Sequence, residues 1–360
     1  MRPLLAVNAG SSSLKAALFD GANRRDYRYA RIGRDGPPDH RAALHALLEA
    51  LPDPRPAAVV HRITHGGDCA APVRRLDEAE RGRLQDLCRL APLHQPSNLL
   101  GVALCEELLG PDVPQWACYD TAFHHNLPAH ARRLPVPGAY PRYGFHGINY
   151  AHIARRLPAL LGATAEGRIA VAHLGSGASL CLLEGLRSSH TTMAYTPLGG
   201  IPMSTRSGDL DPGVVLALVE EAGLEAARET LYRGSGLQAL SGGLSGDMQT
   251  LLESTAPEAR FAVEYFCRGV AAGLAGLAAH AGGLDGLVFT GGIGEHAAPV
   301  RAQVVARLGF LGFALDDARN GAHAERLDAA DSHPVLVVPA DEEAMMAAYL
   351  AAAGGPREAR

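Results

Sequence analysis

The chain shows short apolar runs separated by glycine-rich and polar turns, a pattern that is typical of α/β proteins. Residues 4–7 are apolar, a turn of sequence Asn-Ala-Gly-Ser-Ser-Ser follows, and a second apolar run leads to Asp20. This order predicts two strands joined by a turn rich in N–H and O–H donors, which suits phosphate oxygens, although an ordinary hairpin turn explains it equally well. Further strands are predicted at 57–63 and 114–119, and helices at 39–51, 77–90 and 98–109.

The same pattern starts again near residue 168. A predicted strand at 168–174, a Gly-Ser-Gly turn and a strand at 180–183 copy the layout of the first hairpin. We therefore predict a duplicated α/β fold with a cleft between its halves. The second half continues with a glycine- and proline-rich loop at 196–211, helices at 212–223 and 260–280, a strand at 287–290, a Gly-Gly-Ile-Gly turn, and a last strand at 335–338 before the final helix.

Composition is that of an ordinary folded protein, and 360 residues are enough for two domains. The formal net charge of −5 argues against nucleic acid as the main partner. No secretion signal is predicted, and the least polar long stretch, 269–284, is short and weakly hydrophobic for a membrane span. The six cysteines contain no Cys-x-x-Cys pair, which favours reduced thiols in a cytoplasmic protein.

Lysine usage singles out the first turn. Lys15 is the only lysine, and the other 32 of the 33 basic residues are arginine. A chain this biased uses arginine wherever any positive charge suffices, so position 15 requires a compact ammonium group on a flexible stem. A lysine beside a phosphate-binding turn meets that requirement.

Two arginines and one aspartate are the next candidates. Arg62 and Arg206 lie in glycine-rich loops, where a structural ion pair explains them as well as a ligand contact does. Asp120 follows a predicted strand, and a helix N-cap is its more common function.

The histidine and glycine candidates are individually weak. His94 and His146 are by type more often buried structural histidines, and the glycine turns at 175–177 and 291–294 are common in α/β proteins. The chain contains no Walker A sequence. Taken together, however, two glycine turns, one lysine, two loop arginines and one carboxylate are the groups that phosphoryl transfer requires.

Nine segments then identify a family. They occur in this order between residues 8 and 343: NAGSSSLK, HRITHGG, APLHQPSN, YDTAFHHNLP, YGFHG, HLGSGAS, TPLGGIPMSTRSGDLDP, FTGGIGE and PADEE. With them the chain resembles the acetate kinase family of the actin-like superfamily, and the run TRSGDLDP is highly specific. The resemblance implies two duplicated actin-like (ribonuclease H-like) α/β domains: 1–124 completed by 343–360, and a nucleotide-binding domain at 125–342.

The resemblance also implies an activity and its partners. Members of the family transfer the γ-phosphoryl group of ATP reversibly to acetate, giving acetyl phosphate and ADP. They use Mg²⁺ or Mn²⁺ and usually form homodimers. No nucleic acid or membrane partner is expected.

Functional roles follow from the resemblance, motif by motif. Asn8 and Glu342 organise the metal, Glu342 through water, and Asp120 orients the acceptor together with Arg62, Arg206 and His146, with His94 in support. Acetate is already ionised at pH 7 and needs no strong base. The acyl pocket is implied at Arg62, Thr64, Leu93, Phe145 and Pro197. The nucleotide is implied at Ser11, Ser13, Lys15, His173, Leu174, Gly175, Ser176, Gly177, Asp247, Met248, Gln249, Gly291, Gly292, Ile293, Gly294 and Glu295.

Four positions depart from the family pattern. Ser176 replaces an asparagine, Gln249 an arginine, Thr64 a valine and Gly199 a glutamate. These differences bear on nucleotide affinity and acyl-chain choice, and not on the type of reaction. The alternatives are a propionate or butyrate kinase on the same fold and a catalytically dead nucleotide-gated module.

Overall fold

The computed structural model describes residues 3–10, 13–33 and 35–355, so Ser11 lies outside the described residues. The chain folds as two compact units. Unit 1 comprises Met1–His125, Phe145–His152 and Asp341–Arg360, and unit 2 comprises Asn126–Gly144 and Ile153–Ala340. The grouping of residues 145–152 with unit 1 differs from the limits that the resemblance implies. The domain limits inferred from the resemblance stay a prediction.

The strands form two mixed sheets, one in each unit. The strands of unit 1 are β1 (Leu4–Ala9), β2 (Ser13–Asp20), β3 (Asn23–Ala30), β4 (Ala58–Ile63), β5 (Val73–Arg75) and β6 (Gln115–Tyr119). The strands of unit 2 are β7 (Arg168–Leu174), β8 (Ala178–Glu184), β9 (Arg187–Thr191), β10 (Gly286–Thr290) and β11 (Val335–Val337).

Helices precede and follow these strands along the chain. They are α1 (His40–Ala50), α2 (Glu78–Asp86), α3 (Gln95–Leu109), α4 (Ala129–Arg132), α5 (Gly147–Leu161), α6 (Pro212–Ala222), α7 (Leu224–Arg233), α8 (Gly236–Leu240), α9 (Met248–Glu253), α10 (Pro257–Ala281), α11 (Gly291–His296), α12 (Ala298–Val305), α13 (Asp317–Gly321) and α14 (Glu342–Ala352). Short 3₁₀ segments occur at Leu87–Leu90, Ala122–His124, Gly162–Glu166 and Gly309–Leu311.

The two sheets share a five-strand arrangement, to which unit 1 adds β5 as a sixth strand. Sheet order is β3-β2-β1-β4-β6-β5 in unit 1 and β11-β10-β7-β8-β9 in unit 2, with β1–β2 and β7–β8 as antiparallel hairpins. In each unit the first strand also pairs in parallel with a later strand, β1 with β4 and β7 with β10. The predicted α/β class with a repeated strand–turn–strand motif is therefore confirmed. The carboxyl ends of parallel strands meet at one edge, where ligands of open α/β sheets bind.

The sheet of unit 1 buries apolar side chains on both faces. Leu5 and Val7 of β1 pack with α1 and α3, whereas the intervening Ala6 packs in a second cluster that contains Ile148 of α5 and Met346 of α14. This alternation is the two-residue period of a strand. The two layers hold β1, β4 and β6 in place beneath the residues at their carboxyl ends.

Several helix ends follow from local chemistry. The carboxylates of Asp39, Asp77 and Asp341 accept hydrogen bonds from backbone N–H groups of α1, α2 and α14, which satisfies orphan donors of the first turn. The predicted helices at 39–51 and 212–223 match α1 and α6 closely. Gly-Gly-Ile-Gly, predicted as a turn, instead begins the short helix α11. Helix α5, which contains Pro158, was not predicted.

Helix α10 is long and apolar enough to cross a membrane by length and composition. Half of its most apolar window is buried inside the fold, however, as in the core helix of a globular domain. Val270 and Leu274 of α10, for example, have no exposed surface. The helix is therefore explained by its place in the core of unit 2.

Candidate active site

An arginine–aspartate pair stands at the carboxyl edge of the unit 1 sheet. Arg62 near the end of β4 donates from Nε and Nη2 to Oδ2 of Asp120, at 3.1 Å and 2.7 Å. Asp120 directly follows β6, the parallel neighbour of β4, so sheet pairing brings the two side chains together. The ion pair, one of the two alternatives that the sequence left open for Arg62, is thus present. The carboxylate of Asp120 thus serves the arginine.

Two further polar side chains complete this cluster. Asn8 of β1 donates from Nδ2 to Oε2 of Glu342 at 2.8 Å, and Arg62 Nη1 lies 3.4 Å from both Asn8 Oδ1 and the same Glu342 oxygen. Glu342 is the first residue of α14, whose cap Asp341 also pairs with Arg24 at 2.5 Å. Four predicted site residues, drawn from β1, β4, the end of β6 and α14, therefore form one hydrogen-bonded group.

Burial sets the electrostatics of this cluster. Asp120 has no exposed surface, and its Oδ1 atom has no hydrogen-bond partner among the described residues. Burial raises the pKa of Asp120 to about 6; the charge of Arg62 opposes this rise, and repulsion from Glu342 adds to it. The Asp120 carboxylate is therefore ionised at neutral pH although burial disfavours its charge, which lowers the stability of the fold. Such perturbed pKa values are common at functional sites.

The loop that carries His146 docks on Asp120. The Gly147 N–H donates to the carbonyl oxygen of Asp120 at 3.0 Å, and a Cβ atom at Gly147 would lie only 2.0 Å from that oxygen. Only glycine permits this approach. His146 itself has φ +57°, a left-handed conformation that is uncommon for a non-glycine residue and that clusters at functional sites. Phe145, also predicted in the site, is buried with its ring edge-on to His65 at 5.4 Å.

Thr64 is fixed by a side chain that the sequence analysis did not single out. Its backbone N–H and its hydroxyl both donate to Asn98 Oδ1, each at 3.0 Å, and Asn98 Nδ2 donates to the carbonyl oxygen of Ala9 at 2.7 Å. The Thr64 hydroxyl is therefore bonded within the fold. Asn98 is the last residue of the APLHQPSN segment. The family motif therefore contained this residue, although it was not named as a site residue.

The first turn presents its lysine to solvent. Lys15 on β2 is exposed and lies opposite Asn8 in the β1–β2 pairing, and Ser13 begins the same strand. Gly10, which directly follows β1, donates its N–H to the Ser13 carbonyl at 2.8 Å. The side-chain ammonium of Lys15 is thus available to a ligand. Leu93 and His94, also named from the sequence, lie just before α3, with His94 at its N-cap position.

In unit 2, two predicted nucleotide segments lie at neighbouring strand ends. β7 ends at Leu174 and continues into Gly175–Ser176–Gly177, and β10 ends at Thr290, which pairs with His173. A Cβ atom at Gly291, where φ is +78°, would lie 2.7 Å from the Leu174 carbonyl oxygen. The absence of a side chain at Gly291 therefore lets the two glycine segments meet.

Other predicted residues of unit 2 are held by local hydrogen bonds. Arg206 is buried and donates from Nη1 to the Pro197 carbonyl at 2.6 Å. Asp247 is exposed and caps α9 by accepting the Thr250 N–H and hydroxyl at 2.9 Å and 3.0 Å. Met248 is buried, and Gln249 is exposed and bonded to Glu253 at 2.9 Å. The structure thus gives Asp247 a capping function beside any ligand function.

Comparison with known proteins agrees with this architecture. The model of the acetokinase family matches residues 35–348. An acetate kinase of Nitrobacter hamburgensis is 42% identical over 97% of this chain and 95% of that protein. An acetate kinase of Rhodopseudomonas palustris is 42% identical over 96% of this chain and 97% of that protein. Among solved structures, an acetate kinase of Porphyromonas gingivalis has a TM-score of 0.83 at 30% identity, covering 97% of this chain and 98% of its own. A propionate kinase of Francisella tularensis has a TM-score of 0.89 at 28% identity, and the match covers 97% of this chain and 99% of that chain. The chain therefore belongs to the acetokinase family.

Proposed function

We propose that this protein catalyses the reversible transfer of the γ-phosphoryl group of ATP to acetate, giving acetyl phosphate and ADP. Family membership over nearly the full chain supports a phosphotransferase with a carboxyl acceptor. The single observation that carries the residue assignment is the Arg62–Asp120 pair, since it places an oriented guanidinium at the edge of a sheet where ligands bind.

Arg62 is proposed to bind the acceptor and the transferring phosphoryl group. Asp120 uses one oxygen to hold Nε and Nη2, which fixes the plane of the guanidinium. Nη1 is held only at 3.4 Å, so it is the donor most easily redirected to a ligand oxygen. Acetate is ionised at pH 7, so Asp120 orients Arg62 rather than removing a proton. His146 and Arg206 are proposed to donate to the phosphoryl oxygens, where charge increases in the transition state.

A magnesium ion fits the oxygen atoms of unit 1. Glu342 and Asn8 supply hard oxygen donors, and Oδ1 of Asp120 is a buried oxygen without a partner among the described residues. Because Mg²⁺ keeps several waters and needs few protein ligands, a site of this size is sufficient. We propose that Asn8 and Glu342 hold the ion, Glu342 through water; Mn²⁺ suits the same donors. When bound, the ion would neutralise charge on the phosphates.

Nucleotide binding is assigned to both units. In unit 1, Ser11, Ser13 and the exposed ammonium of Lys15 are proposed to bind phosphate oxygens. In unit 2, the same function is proposed for His173–Gly177 and for the α11 segment. The adjacency of Gly291 to Leu174 supports this proposal, because it joins two glycine segments into one backbone surface.

Acetate is proposed as the preferred acyl substrate over propionate and butyrate. Thr64 has nearly the shape of the valine usual in the family, and its hydroxyl is bonded to Asn98. Residue 64 of the proposed acyl pocket therefore keeps nearly the volume of valine and offers no free hydroxyl. The solved propionate kinase of similar fold makes propionate the alternative to test.

The test is formation of acyl hydroxamate from ATP with acetate, propionate or butyrate. We expect activity in the order acetate, propionate, butyrate. Wild-type protein without activity on any of the three, while still binding ATP, would favour the dead nucleotide-gated module. The Arg62→Ala variant serves as the negative control, since it removes the proposed acceptor contact.

A homodimer and a cytoplasmic location are also proposed. Helix α6 is apolar, yet none of its residues is buried within the described chain. Nearby apolar residues are exposed as well, with Leu216 at 64% and Leu224 at 58%. Apolar surface of this kind commonly marks a protein interface. Sedimentation of the wild type and of Leu216→Glu tests it: we expect a dimer and a weakened dimer, and a monomeric wild type refutes the proposal.

A further inference from the structure

The largest fully buried side chain among the described residues is an arginine that no motif identifies. Arg301 of α12 has no exposed surface. It donates to Asn320 Oδ1 and the Asn320 carbonyl, each at 2.8 Å, and to the carbonyls of Gly294 and Glu295 at 2.9 Å and 2.8 Å. Its Nη2 also lies 3.1 Å from Nδ1 of His323. Four of the five N–H donors of the guanidinium thus have an oxygen acceptor, and the fifth faces His323.

None of these partners is a carboxylate. Burial lowers the pKa of Arg301, and no nearby anion opposes that effect. Arg168 in the same unit shows the ordinary arrangement, because it pairs with Asp285 at 2.6 Å and is partly exposed. A buried cation without a counter-charge is costly. A buried guanidinium at position 301 therefore indicates a function that a neutral side chain cannot perform.

Arg301 binds the last carbonyl groups of helix α11, whose own sequence gives it little stability. Helix α11 has six residues, three of them glycine. Glycine destabilises helices, and an isolated helix this short does not form in water. Its N-terminus is held by Glu295, whose Oε1 accepts the N–H groups of Gly291 and Ala340, each at 2.9 Å. Its last carbonyls, the negative end of the helix, are held by Arg301.

We propose that Arg301 is a positioning residue for nucleotide binding, which fixes the glycine-rich α11 segment through the carbonyl oxygens of Gly294 and Glu295. The inference rests on the proposed function, because that function assigns α11 to the nucleotide. Arg301 acts through the backbone and does not itself contact the ligand. Only a planar fork with several donors reaches two successive carbonyls and Asn320 together, so lysine is not an equivalent replacement.

The test compares Arg301→Lys with Arg142→Met. Arg142 serves as the control because it is another arginine of unit 2, partly buried, that donates to backbone carbonyls, those of Ala131, Thr191, Thr192 and Met193. For Arg301→Lys we expect the KM for ATP to rise about tenfold, the effect of losing one hydrogen bond to a charged group. The KM for acetate and the kcat at saturating ATP should stay within about twofold. Arg142→Met should not raise the KM for ATP selectively.

A binding measurement makes the inference independent of turnover. ATP should raise the Tm of the wild type, and this increase should shrink in Arg301→Lys at the same ATP concentration. If Arg301→Lys does not fold, Asn320→Ala replaces it as the test, because it removes one acceptor of Arg301. Asn320→Ala should show a smaller selective rise in the KM for ATP and a smaller loss of the ATP-dependent Tm increase. Equal increases of both KM values, or an unchanged ATP-dependent Tm shift, would overturn the inference. Inactive wild type that still shows the Arg301-dependent shift would refute only the proposed function.

Discussion

Replacing Asp120 with asparagine should make the protein more stable at pH 8 while it removes most of the activity. Asparagine has the shape of a protonated aspartate, so the variant resembles wild type in which Asp120 carries a proton. Arg62 keeps Glu342 at 3.4 Å as a counter-charge. The expected loss in kcat is about a hundredfold or more, because the oriented charge of Arg62 is weakened.

The magnitude follows from the pKa of Asp120. Its folded value is about 6, about two units above the unfolded value of roughly 3.9, and each unit corresponds to about 1.4 kcal/mol. The folded protein therefore holds more protons than the unfolded chain between these values, and wild-type stability falls as pH rises through the window. Ionised Asp120 should cost about 3 kcal/mol at pH 8 and less than about 1 kcal/mol at pH 4.

Urea unfolding followed by circular dichroism at pH 8 and pH 4 is the assay. Asp120→Asn should gain about 3 kcal/mol in unfolding free energy at pH 8, and this gain should nearly vanish at pH 4. Asp285→Asn is the control of opposite sign, because Arg168 lowers the pKa of Asp285 to about 2. That variant should lose stability at pH 8 and keep most of this loss at pH 4, because the stabilisation by ionised Asp285 disappears only as pH falls through about 2. A destabilised Asp120→Asn at pH 8 would refute the reasoning.

Three further predictions concern ligand contacts. Lys15→Arg should fold normally and lose activity in the hydroxamate assay, because a planar guanidinium does not replace the exposed ammonium; full activity would contradict a phosphate contact. Ser176→Asn combined with Gln249→Arg should lower the KM for ATP, and an unchanged KM would show that these positions do not contact the nucleotide. Thr64→Val should remove one donor from Asn98, costing about 1 kcal/mol of stability, and should shift kcat/KM modestly towards propionate. Thr64→Ala should shift it further, and an unchanged ratio would remove residue 64 from the acyl pocket.

The local sequence was enough to predict much of the fold and several candidate site residues. The strands around the first turn, the helix at 39–51 and the repeated hairpin at 168–183 were predictable, because hydrophobic periodicity acts over a few residues. Asp120 at a strand end was also predictable as a candidate. The family resemblance then ordered these candidates into one proposed reaction.

Tertiary structure alone decided what each candidate contacts. Whether the hydroxyl of Thr64 faced a ligand or a carbonyl depended on Asn98, which is 34 residues away in the chain. The raised pKa of Asp120 requires the burial and the Glu342 charge that the fold supplies. Arg301 was invisible in the sequence because one arginine among 32 gives no local signal. Its proposed function depends on carbonyl oxygens of the preceding helix and on Asn320, and these partners meet the guanidinium only once the chain has packed.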